Sequence, residues 1–391
     1  MLKCASVYTY EIDDPEAAFE EIRSQLDGKL TLLKNTVGII MCHPEFIASG
    51  VVKHICGKLP FDMAGITTAA QAVNSEAGEL ILTVFVMTSD DVLFKTGETG
   101  GLEEGIDGPV KTAINGVIQG ESEAPKLALV FPPLILKYSG DSYIEAVKKI
   151  IPGVPIFGPI AIDDTLTHEL SETVYNGETS RTKMPFVLCY GNINPRFIVG
   201  TFPEDKAMPY KGEITKSNGS VVSEINNISA FEYFESIGFV DNDVIAENFN
   251  FVPFAIDQKK REDYDGIPVI RGIVFFGENG TAVFRGDIDE GSTFTILTCE
   301  ADDVLSATCE KIRQINDLSD VNGVLLFPCI ARRMMTTRGN PLTELETVRE
   351  TIRPEIPFLS GYAGGEISPT LVRNGVPTNR FHNYSLVILV V

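Results

Sequence analysis

Two stretches near opposite ends of the chain follow one outline, and that recurrence limits what the chain can fold into. "SVYTYEIDDPEAAFEEIRSQL" (Ser6 to Leu26) and "FTILTCEADDVLSATCEKIRQI" (Phe294 to Ile315) each give a short β-rich run, then Glu-x-Asp-Asp, then apolar residues at helical spacing. In the first these are Ala18, Ile22 and Gln25 or Leu26; in the second, Val304, Leu305, Thr308 and Ile312. The Asp pair suits a helix N-terminus, where side-chain oxygens accept free backbone N–H groups. The segments downstream of each also correspond. "NTVGIIMCHPEF" (Asn35 to Phe46) parallels "DVNGVLLFPCIA" (Asp320 to Ala331), each a strand ending in a Pro- or Cys-bearing loop. Helices are predicted around Phe46 to Leu59 and Leu342 to Arg353. Then come a proline–apolar–glycine turn and a last strand, Glu79 to Asp91 or Tyr384 to Val391.

A middle copy has the same order. Thr83 to Asp91 opens it, Val110 to Ile118 is its first helix and Lys126 to Pro133 its second strand. Ser139 to Ile151 is the next helix, capped by Ser139 or Asp141, with Pro185 to Asn192 the closing strand. The three turns are "LPFDMAGITTAA" (Leu59 to Ala70), "VPIFGPIAIDD" (Val154 to Asp164) and "IPFLSGYAGGEISP" (Ile356 to Pro369). Strands alternating with helices predict an α/β fold of layered sheets built from repeated β-α-β-α-β units. Between the second and third copies, Ile198 to Gly291 has a β-rich texture: hairpins at Asn218-Gly219 and Asn279-Gly280, and a helix from Ser229 stopped by Gly238. The expected division is residues 1–200, with two copies, and 201–391, with the β-rich segment and the third.

The formal net charge of −22 repels phosphate backbones and anionic lipids, which disfavours nucleic-acid and membrane partners. No apolar run is long enough to span a bilayer, and acids interrupt the N-terminus too early for a secretory leader. Seven cysteines without a C-x-x-C pair point to a reduced, cytoplasmic setting. No nucleophile elbow of the G-x-S-x-G kind occurs, and the glycines of "TGETGGLEEG" (Thr96 to Gly105) have acidic flanks and no following Lys-Ser/Thr, which argues against a phosphate loop.

Near the C-terminus, "PFLSGYAGGEISP" and then Phe381-His382-Asn383 before a last apolar strand resemble the FIST domain, a ligand-sensing module of signal-transduction proteins. Cys329 followed by Arg332 and Arg333, "NGSVVSEINNISAFEYFESIG", and "GIIMCHPEF" with "AGITTAA" extend the resemblance over nearly the whole chain. One departure stands out. The family often reads aromatic-aromatic-Thr-Tyr-Gly-Glu where this chain has Tyr362-Ala363-Gly364-Gly365-Glu366, which implies a larger or different ligand. The resemblance implies a non-catalytic sensor of a small molecule such as an amino acid or derivative, signalling in trans to a kinase or cyclase; the sequence is compatible with a homodimer and does not specify one.

The candidate ligand-binding residues are Cys329, Arg332, Arg333, Gly361, Tyr362, Glu366, His382, Asn383, Thr67 and Thr68. An arginine fork binds a carboxylate and Glu366 binds an amine, a clamp for a zwitterion. Against this stand plain structural roles: an Arg–Glu ion pair, a buried inert cysteine, turn hydroxyls, and helix-capping Asp163 and Asp164. Nothing in the sequence requires a cofactor or a metal. A haem sensor of nitric oxide would use His43 or His382 as axial ligand, and a hydrolase of small amides or esters would use Cys329 with His382.

Overall fold

The computed structural model describes residues 1–165, 167–202, 204–240, 252–261, 264–337, 339–373 and 376–391. These form three six-stranded sheets and one of eight strands, a mixed α/β architecture. The first sheet runs Lys3–Thr9, Leu82–Ser89, Asn35–Cys42, Asp62–Thr67, Thr173–Tyr175, Glu178–Ser180. The second runs Val92–Glu98, Pro185–Gly191, Leu127–Val130, Ile156–Pro159, Glu366–Arg373, Val376–His382. The third runs Arg196–Gly200, Leu386–Val390, Val324–Pro328, Phe358–Gly361, Gln71–Val73, Ala77–Gly78.

All three share one pattern. An outer strand, a closing strand and a parallel pair come from one region of the chain; the last two strands are a hairpin from another. The parallel pairs are Asn35–Cys42 with Asp62–Thr67, Leu127–Val130 with Ile156–Pro159, and Val324–Pro328 with Phe358–Gly361. Each is joined by crossover helices, as parallel strands require. The hairpins are exchanged in a cycle: that of the first region edges the third sheet, that of the second edges the first, and that of the third edges the second.

These strands are Val/Ile/Leu-rich on both faces because both faces are buried. Inward, Ile39, Phe85, Leu129, Phe157, Phe327 and Leu389 meet in one core shared by the three sheets. Outward, each sheet lies under helices: Pro15–Lys29 and Val51–Lys58; Asp107–Ile118 and Gly140–Lys148; Ala301–Asn316 and Thr343–Thr351. Asp14 caps the first of these, its carboxylate accepting the Glu16 and Ala17 amides at 3.0 and 3.1 Å. At the corresponding helix in the C-terminal half Glu300 stands at the cap, in reciprocal hydrogen bonds with Asp303.

Four expectations need correction. The proline–apolar–glycine segments are the second members of the parallel pairs, not turns. Their glycines serve close strand approach: a Cβ on Gly65 would lie 1.7 Å from the Ile40 carbonyl oxygen. The second sheet opens with Val92–Glu98, while Leu82–Ser89 stays in the first, because Ser89 Oγ accepts the Asp91 and Val92 amides and turns the chain. Thr293–Leu297 belongs to the eight-stranded sheet, and the outer strand of the third sheet is Arg196–Gly200, so the β-rich segment interrupts the chain between that strand and the helix Ala301–Asn316. Ser139 makes no cap bond; its hydroxyl donates to Asp287 Oδ1 at 3.0 Å, and Asp141 accepts from Arg271 and the Asp287 amide.

The eight-stranded sheet is antiparallel, and its path ends on Val269–Arg271 and Ile273–Phe276, which are adjacent in sequence. It is therefore a near-closed barrel, plugged by Phe234 from the helix Ala230–Ser236, with Phe254, Phe284 and Phe294 packed edge-on in its centre. The hairpins at Gly219 and Asn279-Gly280 and the Ser229 cap stand where the sequence puts them. No described helix is long and apolar enough to cross a membrane.

Candidate functional site

The three parallel pairs end at one place. One or two residues past each second strand, Thr68, Ala161 and Ala363 donate their N–H groups to the carbonyls of Cys42, Pro132 and Pro328, at or just past the end of the neighbouring strand, at 3.0, 2.9 and 2.9 Å. The three segments then bond to one another. The Ile162 amide reaches the Thr67 carbonyl (3.2 Å), Gly364 reaches Ile160 (3.0 Å) and Tyr362 reaches Ala70 (3.2 Å). Thr68 Oγ1 donates to the Tyr362 carbonyl at 2.7 Å. Residues far apart in sequence thus close a ring at the strand ends, the region where open α/β sheets gather ligands.

One residue beyond the ring in each region holds the same place, opposite the residue two before Thr68, Ala161 or Ala363: Gln71 opposite Gly361, Thr173 opposite Ile66, Glu366 opposite Pro159. Two of the three are satisfied. Gln71 donates to the Ile81 carbonyl (2.9 Å) and accepts from Thr83 Oγ1 (3.0 Å). Thr173 donates to the Ser180 and Lys183 carbonyls. Glu366 is fully buried, and neither carboxyl oxygen has a protein donor. Register gives the reason. Cys42 pairs with Leu82 and Pro328 with Leu386, so Val387 stands where Thr83 serves Gln71, and a methyl replaces the hydroxyl.

The Cys329 thiol and the Ser385 amide approach the carboxyl without reaching hydrogen-bond geometry. Burial holds Glu366 well above the usual carboxylate range, as a neutral acid. Burial, and then the neighbouring Glu366, also push the Cys329 thiol up, which keeps it a poor nucleophile. His382, buried and lowered to about 4 by that burial, is engaged by the Ser368 carbonyl at 3.1 Å.

The arginines do not form the expected clamp. Arg332 is buried, and its Nε and Nη2 donate to Glu344 Oε1 at 2.9 and 2.6 Å. Its Nη1 donates to the Tyr384 carbonyl at 3.1 Å, and Nη2 also reaches Thr308 Oγ1 at 2.8 Å. This is the structural ion pair, tying three helices to the loop before the last strand. Arg333 pairs with Glu79 across the ring. The Thr67 hydroxyl is used by Glu172, accepting its amide (2.9 Å) and donating to its carbonyl (3.2 Å). Gly361 packs on Met41, Tyr362 is buried with its hydroxyl unpartnered, and Asn383, beside Gly365, has an unpartnered Oδ1. Asp163 holds the Thr165 and Leu170 amides, and Asp164 pairs with His43 at 3.3 Å. Among the described residues no cluster has the make-up of a metal site.

Residues 36–228 match the FIST N domain and residues 230–369 the FIST C domain. The chain belongs to the FIST family. That is a family of sensory and signalling domains, and its two domains cover most of this chain. No curated protein matches this FIST protein. Arg285, which is not among the candidates named from the sequence, lines a cleft of about 150 Å³ between the barrel and the three-sheet body, next to Gly364 of the ring. The available signal was a cation flanked by apolar residues, "AVFRG", in a strongly acidic chain.

Proposed function

We propose that this FIST protein is an intracellular sensor that binds a small molecule, such as an amino acid or a derivative, beside Glu366 and signals to a partner in trans. We read the shared sheet pattern as three copies of one unit, of which the third has diverged for binding. The observation that carries this reading is the Glu366 carboxyl: buried, and without a donor where its counterparts Gln71 and Thr173 are satisfied. A buried polar group left unpaired costs about 1–3 kcal/mol, and such strain persists at functional sites. A ligand ammonium or hydroxyl supplies the missing donor, and an ammonium beside Glu366 favours its carboxylate form, the proton leaving to solvent.

Glu366 has no exposed surface, so a ligand reaches it only when Gly364 and Gly365 shift. Gly365, at φ 142, has a backbone conformation that side chains resist. Opening there displaces the barrel relative to the body, and that movement is the signal: a ligand shifts an equilibrium by its differential affinity for the two states. A kinase or cyclase would read the barrel position. The test is calorimetry with the common amino acids on wild type and Glu366→Gln. Loss of roughly 1.5–3 kcal/mol in the variant is expected for a charged hydrogen bond; equal affinity takes Glu366 out of the site.

A further inference from the structure

With Arg332 held by Glu344, a ligand's acidic end needs another cation. We infer that Arg285 is that anchor, and that the cleft between barrel and body takes a small apolar monocarboxylate. This deepens the proposed sensor function and rests on it for the direction of access, toward the ring.

Three observations converge. Arg285 stands at the end of the barrel strand Ala282–Phe284, half-buried, and makes no ion pair among the described residues. Two fully buried guanidinium groups, those of Arg271 and Arg332, are paired with Asp141 and Glu344. A partly buried guanidinium without a carboxylate bears part of the desolvation cost with no compensating charge. It sits close enough to Cys329 and Tyr384 to interact electrostatically with them, which puts its far end toward the Glu366 neighbourhood.

The cleft itself has the matching chemistry. Although the chain carries 54 acids against 32 bases, no described carboxylate lines it. Lys137 is its other cation, and that ammonium already meets the Glu103 carbonyl and the Tyr138 ring. The walls are apolar: Leu134, Ile160 and Phe381 from the body, Val274 and Phe284 from the barrel. At the rim, Leu136 and Phe275 are 79% and 55% exposed, large hydrophobic side chains held in water beside the opening. An apolar hollow with one convergent, forked donor group is how proteins hold small amphipathic anions. Its volume suits a side chain of about the size of leucine's and excludes a nucleotide.

The experiment is calorimetry with four probes of one shape: isocaproate, leucine, leucinamide and isopentylamine. Wild type is expected to bind isocaproate and leucine, with leucinamide and isopentylamine weaker by roughly ten- to hundredfold, the effect of losing charge-assisted hydrogen bonds. Arg285→Gln should lose isocaproate by the same factor, and Val283→Phe, which keeps the charge and narrows the cleft, should lose it as well. Glu366→Gln should weaken leucine far more than isocaproate, which has no amine for the carboxyl to meet. Isocaproate binding that survives Arg285→Gln, no isocaproate binding by wild type, or isopentylamine binding as tight as isocaproate overturns the anchor. Isocaproate binding lost in Arg285→Gln, with leucine unaffected by Glu366→Gln, upholds the anchor and removes Glu366 instead.

Discussion

Replacing Glu366 with glutamine keeps the shape of the side chain and removes its titration. In the folded protein burial holds the carboxyl well above the usual carboxylate range. In the unfolded chain the same group titrates near pH ~4.3. Between those two values the folded state keeps a proton that the unfolded state has lost. Unfolding then releases a proton, so wild-type stability falls as pH rises through this window, and it levels off once the buried group ionises in the fold. The slope for one group is about 1.4 kcal/mol per pH unit. Groups that titrate alike in both proteins cancel. Cys329, whose thiol is pushed above its ordinary value, contributes only in more alkaline solution. Urea unfolding of wild type and Glu366→Gln at about pH 5, 6 and 7 gives both free energies by linear extrapolation. The variant should gain on wild type as the pH rises over this series, by at most about 1.4 kcal/mol per unit, whatever constant offset the amide introduces. A difference that stays flat over the series would mean that Glu366 titrates alike in both states, and the buried neutral acid would have to be abandoned.

Arg332→Met leaves Glu344 charged and unpaired in the interior and should lower stability by about 3–5 kcal/mol in urea, while Arg332→Met/Glu344→Leu should recover most of it. Gly65→Ala forces a methyl against the Ile40 carbonyl and should cost about 1–3 kcal/mol or more in thermal melts. Gly28→Ala, with nothing within 4 Å of the new Cβ, should raise the melting temperature by removing a helix glycine, a gain of up to about 1 kcal/mol. Iodoacetamide should label half-buried Cys309 well before Cys329 in the native protein; fast labelling of Cys329 would show that its thiol is accessible and ionised.

The alternation of strands and helices was readable because helical spacing and doubly apolar strands leave local signatures. Gly219, Asn279-Gly280 and Ser229 carry their turn and cap chemistry in two or three residues, and they were legible for that reason. The exchanged hairpins were not. Gln71–Val73 lies against Leu359 and Ser360, and no local pattern records a partner so distant in the chain. Thr293–Leu297 alternates like the edge strand of an α/β sheet, so its membership of the barrel was hidden by its likeness to Lys3–Thr9. The clamp misled for a similar reason. An arginine destined for Glu344 looks the same as one destined for a ligand, and Glu344 sits in "TELETVRE" among other acids, with nothing to mark it as the buried one. Glu366 stood out through its glycines, yet its lack of a donor depends on Val387, visible only once the closing strands are in register.

The cyclic exchange of hairpins also bears on how the protein can be divided. A break at the junction of the two matched domains, near residue 229, strips Glu366–Arg373 from the edge of Ile156–Pro159 and Leu386–Val390 from Arg196–Gly200. Raw edges of this kind invite aggregation. The severed halves should therefore fail alone and regain native structure when mixed, so the two named domains are better understood as mutual templates than as independent parts.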